Sequence, residues 1–533
     1  MSKMEDLRPR WTVPALEARA TYALVRVVAS PLFAHSVLML VLIFEFSVLF
    51  LGASRRSFWY DELLTSHVSS FQPFSRFWSA IKAGVDGMPI GYYLIVRAAR
   101  MLPGDLAVTL RLPSILGYLM TLLGVYWFAG KRLPALAGLA GVFLITLSPF
   151  RDYALEARSY SLLVGFLAIS AVLWQRIGEK RFMTPSFALF LTLAVSSHHL
   201  AVVALSAFAV AELVGTLLAR RIRWGVWCAC LVATVPFFVS LPILLDYRDN
   251  FGKTFWSPSS LGMAVSTYGS YLGIGSILAL VLIAFFGIVV ADALLRASRP
   301  TRQGSIEEFD FSLSETVLVA GFLYFPAFLV VLTKLLHSGY TNRYGWPAIL
   351  GLALGSVFLV RNIWLQSQGA FLLVALMIGF VYQSGNSITK LFKAGSSAVD
   401  GRWTSLAEFS RHEPGLPVVI GSPTDYLEAN EYSPPELRDQ LIEVADGDNA
   451  ARLSGSDTTE KTNRLLARFI PLNIVNLAEF QAAHQRFLVR SGGSFDWFTK
   501  YLVENRYDLR LLSQDGGTSF YVVQRQIQKE MTR

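Results

Sequence analysis

Apolar residues dominate the chain from about residue 34 to 392, in long runs separated by short polar breaks. Beyond residue 400 the pattern shortens into the alternations of a water-exposed fold. Eleven runs approach the length needed to cross a hydrocarbon layer of about 30 Å. They lie near 34–53, 106–129, 133–148, 157–175, 184–197, 199–219, 223–245, 265–294, 314–336, 344–360 and 369–390. The predicted fold class is therefore mainly α: a polytopic transmembrane helical bundle with a small C-terminal α/β domain. The first run is too long for the apolar part of a signal peptide. It reads as an uncleaved span preceded by a cytoplasmic segment, 1–33, that carries Lys3, Arg8, Arg10, Arg19 and Arg26.

Between the first two spans lies a long segment, 54–105, rich in aromatics. It contains two amphipathic stretches, about 61–83 and 89–102. Arg97 and Arg100 make the second a poor span and a good interfacial helix. Residues 400–533 predict helices alternating with strands. Leu416 to Ile420 is a β-type run, Asn476 with Glu479 suggests a capping box for a helix over 477–487, and Phe487 to Arg490 is a short strand. A helix over 495–505 precedes a hairpin, 507–512 with 519–523, turning at Asp515-Gly516-Gly517. No nucleotide loop, metal spacing or nucleophile elbow appears there, so an accessory or acceptor-docking domain is expected.

Composition sharpens this picture. Hydrophobic residues make up 53% of the 533 and charged residues 16%, with mean hydropathy +0.45. That excludes an ordinary cytosolic enzyme and a disordered chain alike. The formal charge of +9 does not mark a nucleic-acid binder, because the basic residues sit in short clusters between apolar runs. Lys131-Arg132, Arg176/Lys180/Arg181, Arg220/Arg221/Arg223, Arg296/Arg299/Arg302 and Arg361 fall on alternate loops, as the positive-inside rule requires. An odd number of spans then places the C-terminal domain outside. Were 184–197 and 199–219 a single crossing, everything downstream would invert. Cys228 and Cys230, two apart in one apolar run, point in different directions and form no pair.

Charged side chains at membrane depth are functional candidates by default. Asp61-Glu62, Asp86, Asp152, Glu156, Arg158, His198-His199, Lys334 and Arg343 all fall on the predicted outer side. Asp61 and Glu62 follow Phe58-Trp59-Tyr60, where an acid beside aromatics can serve as a general base of raised pKa. The alternative there is an aromatic belt followed by a solvated helix start. Asp152 and Glu156, one helical turn apart, can equally form a salt-bridged turn with Arg151 and Arg158. At most one of His198 and His199 faces a cavity. Lys334 can snorkel, and Arg343 can anchor at the interface.

Four patches in order carry a resemblance. They are Trp59-Tyr60-Asp61-Glu62, Asp86-Gly87-Met88-Pro89-Ile90-Gly91-Tyr92-Tyr93, Glu156-Ala157-Arg158-Ser159-Tyr160 and Thr341-Asn342-Arg343-Tyr344. Over about residues 30–390 the chain resembles the GT-C class of membrane glycosyltransferases. Within that class it resembles the family that includes protein O-mannosyltransferases and the lipid A aminoarabinose transferase.

The resemblance implies an inverting transfer, on the outer side of the cytoplasmic membrane, from a polyprenyl-phosphate sugar donor to a lipid, glycan or protein acceptor. It implies catalytic roles for Asp61, with Glu62 beside it, and for Asp152 as the second acidic position. Asp86, Tyr92, Glu156 and Tyr344 would contact substrate. Asp86 stands where relatives carry Glu or His before Pro-Pro-Leu-Tyr; Gly-Met-Pro-Ile here leaves a divalent metal open, and no cofactor is otherwise required. Cations aimed at the departing phosphate would be Arg158 and Arg343, with Lys334 or His199. A transporter of a lipid-linked sugar should show internal repeats and broken midplane helices, and no convincing repeat is present. A membrane-anchored binding protein would leave the 54–105 segment unexplained.

Overall fold

The computed structural model describes residues 30–273, 284, 287, 312–336, 338–361, 367–393, 401–411 and 413–525. Most of the segment 1–33 and of the run 265–294 lies outside these residues. The first helix, Pro31–Ala53, starts where the Ser30 hydroxyl accepts the Phe33 N–H (3.2 Å) and Pro31 fills the first turn. Helix Leu106–Gly130 begins on Asp105, which accepts from Val108 N–H at 3.1 Å.

Each remaining apolar run within the described residues forms a helix, but the expected eleven spans are not confirmed. Among the described residues five helices are long and apolar enough to cross a membrane, or up to seven if each bent pair is one span. Two sharp bends appear. Ala135–Thr146, the run 133–148, meets the 3-10 turn Pro149–Leu155 at 69° at its end, and the run 314–336 is itself broken, Leu313–Leu323 bending by 55° into Phe325–Leu335. Pro149 and Pro326 sit at these breaks, where a missing N–H and a bulky ring stop a straight helix. Tyr160–Gln175, Met183–Ser197 and Ala348–Leu359 are shorter than a simple crossing needs.

Small residues set the crossing that positions the site. Helices Leu106–Gly130 and Tyr160–Gln175 pack backbone to backbone: a Cβ added at Gly117 would lie 2.5 Å from the Leu162 nitrogen, and one at Gly165 would lie 2.3 Å from the Gly117 oxygen. The same contact lets the Ser114 hydroxyl donate to the Arg158 carbonyl at 2.7 Å. A buried ion pair, Arg151 Nε to Glu45 Oε2 at 2.8 Å, ties the first helix to the 149–155 turn. Arg151 also donates to Ser387 Oγ (3.2 Å) in helix Ser367–Lys393. At the other end of the bundle Lys131 pairs with Glu179 (2.7 Å) and Arg132 with Glu315 (3.0 Å).

The segment 54–105 forms three helices rather than two: Tyr60–Ser70, Phe74–Lys82 and Ile90–Arg100. Pro73 divides the first stretch, because the residue before a proline is pushed out of the helical region.

The C-terminal unit is a six-stranded mixed sheet with helices on both faces. Its strands are β1 (Val418–Ile420), β2 (Leu441–Ala445), β3 (Ile474–Asn476), β4 (Arg486–Ser491), β5 (Asp508–Asp515) and β6 (Thr518–Gln524), in the order β3-β2-β1-β4-β6-β5. The first four pair in parallel; β4–β6 and β5–β6 are antiparallel. Strands β2 and β3 and helices Pro423–Tyr432, Gly447–Ser454 and Thr458–Leu466 have no counterpart in the sequence reading. Glu443 hides β2: it interrupts an otherwise apolar strand, yet is buried and accepts from Asn463 Nδ2 at 2.8 Å. The expected capping box at Asn476 does not form. Asn476 precedes helix Leu477–Ala483 but makes no side-chain cap; it accepts instead from Arg464 (3.0 Å).

This unit docks on the loops at one end of the bundle. Tyr432 OH accepts from Phe58 N–H (2.6 Å), Glu428 accepts from Tyr60 N–H (3.2 Å), and Tyr60 OH donates to Asn463 Oδ1 (3.1 Å). Phe71 stacks on Phe469 with centroids 5.5 Å apart.

Candidate active site

Three loops converge beneath the C-terminal unit. Trp59-Tyr60-Asp61 opens helix Tyr60–Ser70, Arg158 ends the connection into Tyr160–Gln175, and Arg343 lies in the 3-10 turn Asn342–Gly345. They line one cavity of about 890 Å³, which the C-terminal unit closes with Thr424, Glu428, Thr459 and Phe495.

Arg343 Nη1 meets Asp61 Oδ2 at 2.7 Å, and Arg158 Nη2 lies 3.9 Å from the same oxygen. Arg158 Nη1 also donates to Asp86 Oδ2 at 2.9 Å, and Tyr93 OH donates to that carboxylate at 2.5 Å. The 3-10 turn is fixed from below: Tyr271 OH donates to the Asn342 carbonyl, Thr267 Oγ1 donates to Asn342 Oδ1 (2.9 Å), and Tyr271 stacks on Trp346 at 4.0 Å. Trp59, Trp256 and Tyr160 surround the Arg343 guanidinium at 5.6, 5.5 and 5.9 Å.

The expected raised pKa of Asp61 is reversed. Burial opposes its ionisation, but Arg343 and then Arg158 outweigh burial and hold the carboxyl below its ordinary range. Among the described residues Nε of Arg158 and Nε of Arg343 are buried without a partner.

Asp61, Asp86, Arg158, Arg343 and Tyr344 thus share the cavity. Glu62 does not. It is fully buried behind the helix start, where Arg111 Nε and Nη2 bond its two oxygens at 2.8 and 2.7 Å and Ala157 N–H donates at 2.7 Å. Asp152 is exposed and does not line the cavity. Tyr92 is buried, its hydroxyl given to the Ala157 carbonyl at 2.6 Å. Glu156 is half-buried outside the lining; burial, opposed by Arg56, pushes its carboxyl up to about 7. Lys334 lines a separate hollow of about 300 Å³, and His199 a small one that also touches Asp86. His198, not His199, packs behind the site, 5.3 Å from Tyr160 and 6.1 Å from Tyr344. The salt-bridged turn expected among Arg151, Asp152, Glu156 and Arg158 does not form, since Arg151 goes to Glu45 and Arg158 to Asp86 and Asp61.

A divalent metal finds no suitable donor set: among the described residues no group of three or more His, Cys, Asp or Glu gathers, and Asp61 and Asp86 are already bonded by arginines.

Sequence reasoning passed over Arg111, Glu45, Trp256 and the C-terminal wall. Arg111 and Glu45 carried a usable signal, a charge inside an apolar run. Trp256 and the threonines carried none.

No protein-family model and no curated protein matches the sequence. Solved structures do. ArnT from Cupriavidus metallidurans bound to undecaprenyl phosphate superposes with TM-score 0.52 at 14% identity, covering 92% of this chain and 98% of its own. The fold is a GT-C fold. The same protein in the apo state gives 0.47 at 13% identity, over 92% of this chain and 98% of its own. The oligosaccharyltransferase of Archaeoglobus fulgidus tethered to an acceptor peptide gives 0.41 at 11%, over 93% of this chain and 74% of its own. The resemblance drawn from the four sequence patches therefore holds for the fold, and the apolar helices agree with a multi-pass membrane protein.

Proposed function

We propose that this protein is an inverting glycosyltransferase of the cytoplasmic membrane. It moves a sugar from a polyprenyl-phosphate donor to an acceptor on the extracytoplasmic side, where the C-terminal unit lies. The observation that carries this reading is the carboxylate of Asp61 held against Arg343 and Arg158 inside one deep cavity.

The chemistry follows from charge. As the acceptor hydroxyl attacks the anomeric carbon, its oxygen forms the new bond and its proton passes to Asp61. The bond from that carbon to the phosphate oxygen breaks, and the polyprenyl phosphate leaves with one further negative charge. Arg158 and Arg343 stabilise that charge as it develops. Paired with Asp61, these arginines hold its basicity down. A donor phosphate that engages them relieves the carboxylate of its counter-charges and restores its basicity.

Asp86 and Tyr93 hold Arg158 in place, Tyr344 borders the donor sugar, and Glu62 with Arg111 anchors the helix that presents Asp61. The fold neighbour binds undecaprenyl phosphate, which supports the lipid carrier. No feature among the described residues favours a transporter.

The test is mass spectrometry of envelope lipids and glycans from cells that lack the gene and are complemented with wild type or Asp61→Asn. A sugar modification should return with wild type alone. Equal restoration by the variant would reject the assignment.

A further inference from the structure

The roof of the cavity differs in chemistry from its floor. The floor holds Arg158 and Arg343 with Asp61 and Asp86. The roof comes from the C-terminal unit, which lines the cavity with hydroxyls (Thr424, Thr459, Ser494) and carboxyls (Asp425, Glu428) but, among the described residues, with no Lys, Arg or His. Arg490, beside Asp425, is bonded to it at 2.5 Å and lies over the Trp403 ring at 4.9 Å.

The loop after β4 is shaped to present one aromatic ring. Gly493 has φ +83° and Phe495 φ +66°, a left-handed backbone that bulky residues rarely adopt. A Cβ on Gly493 would lie 2.6 Å from Asp425 Oδ2, so the loop closes only around glycine. Asp496 holds the conformation by accepting from Ser491 Oγ and Gly492 N–H, each at 2.9 Å, and from Thr499 N–H at 3.1 Å. Phe495 is thereby set edge-to-face with Trp256, centroids 6.4 Å apart, and Trp256 is 37% exposed. Outlying backbone of this kind persists where surrounding structure over-determines it, and such places cluster at ligand clamps.

We infer that this roof is the acceptor site and that it takes the uncharged, hydroxyl-rich end of a glycan. Apolar C–H faces of a sugar ring pack on Phe495 and Trp256, while its hydroxyls bond Thr459 and Glu428. A phosphate-bearing acceptor would bring its charge against Glu428, with Arg490 already paired to Asp425 and Arg158 and Arg343 engaged by the donor. The inference rests on the transferase reading for the place of the donor.

Full-length protein in nanodiscs tests it by saturation-transfer NMR, with mannotriose, its 6-phosphate, a threonine-bearing peptide and undecaprenyl phosphate as probes. Mannotriose should bind at least tenfold more tightly than its phosphate. Phe495→Ala and the conservative Thr459→Val should each weaken it about tenfold, with undecaprenyl phosphate affinity within twofold of wild type and an unchanged thermal midpoint. Preference for the phosphorylated sugar, binding of the peptide that is lost in Phe495→Ala, or indifference of mannotriose to both variants would overturn the inference. If undecaprenyl phosphate binds wild type and is lost in Arg343→Ala while mannotriose does not bind, this inference alone falls. If undecaprenyl phosphate does not bind at all, the donor reading falls with it.

Discussion

Replacing Asp61 by Asn separates two jobs that this carboxylate performs. As the base it takes the acceptor proton, and an amide cannot; general-base catalysis contributes about 10²–10⁴-fold, or roughly 3–5.5 kcal/mol of barrier. As the counter-ion of Arg343 it competes with the donor phosphate. At 2.7 Å the gross attraction in an effective dielectric of about 20 is roughly 6 kcal/mol. Most of that is offset by the desolvation both groups suffer on burial. Removing the charge while keeping the shape therefore leaves Arg343 more available to an anion. The variant should lose about 10²–10⁴-fold in transfer rate while binding undecaprenyl phosphate as tightly as wild type or up to about tenfold more tightly, a gain of about 1.4 kcal/mol. Turnover is read by mass spectrometry of product in cells, and binding by intrinsic tryptophan quenching in nanodiscs, where Trp59 and Trp256 flank Arg343. Near-normal turnover would remove Asp61 as the base. Weakened phosphate binding would mean that the Asp61–Arg343 pair organises the site instead of competing with the donor.

Arg343→Ala should weaken undecaprenyl phosphate binding by about ten- to a hundredfold, the worth of a hydrogen bond to a charged group of about 1.5–3 kcal/mol, with Arg343→Lys between; unchanged affinity in the quenching assay returns Arg343 to an anchoring role. Glu62→Ala strands Arg111 in a fully buried site and should cost about 3–5 kcal/mol of stability, seen as a lowered thermal midpoint and poor expression; a stable but inactive protein would show that Glu62 acts in the chemistry. Gly117→Val forces apart the crossing that places Arg158 and should lower the thermal midpoint and transfer together, whereas normal stability would contradict the close approach. Glu156, pushed up to about 7 from 4.5, binds its proton more tightly in the folded protein than in the unfolded chain. Its contribution is fully present below pH 4.5 and is lost as pH rises through about 7, an effect of order 3 kcal/mol. Thermal midpoints from pH 5 to 8 should fall in wild type and stay flatter in Glu156→Gln; equal slopes would place the titration elsewhere.

The helices were legible because apolar runs report hydrophobic burial directly, and Asp61, Arg158 and Arg343 stood out as charges at the margins of those runs. Their roles were less legible. From local spacing Arg158 has partners within its own turn, yet it reaches Asp86 and Asp61 across loops, and no periodicity encodes such tertiary pairing. The pKa of Asp61 was expected to rise because burial was visible in the sequence while the two guanidinium groups beside it were not. Span number was obscured by Pro326, which lies at a bend inside the run 314–336 that hydropathy treats as straight, and by apolar helices such as Met183–Ser197 that are shorter than a simple crossing. In the C-terminal unit β2 was concealed by the buried Glu443, one of whose oxygens accepts from Asn463 of helix Thr458–Leu466. The cavity roof rests on threonines and a glycine loop, which mark nothing until the fold brings them over the arginines.

The most direct test of the central claim is a cryo-EM structure of the full-length protein in nanodiscs with undecaprenyl phosphate. The account predicts the phosphate inside the cavity, with oxygens about 3 Å from the guanidinium nitrogens of Arg158 and Arg343 and Asp61 turned away from Arg343. A phosphate bound elsewhere, such as at the Lys334 hollow, with the Asp61–Arg343 pair intact, would contradict it.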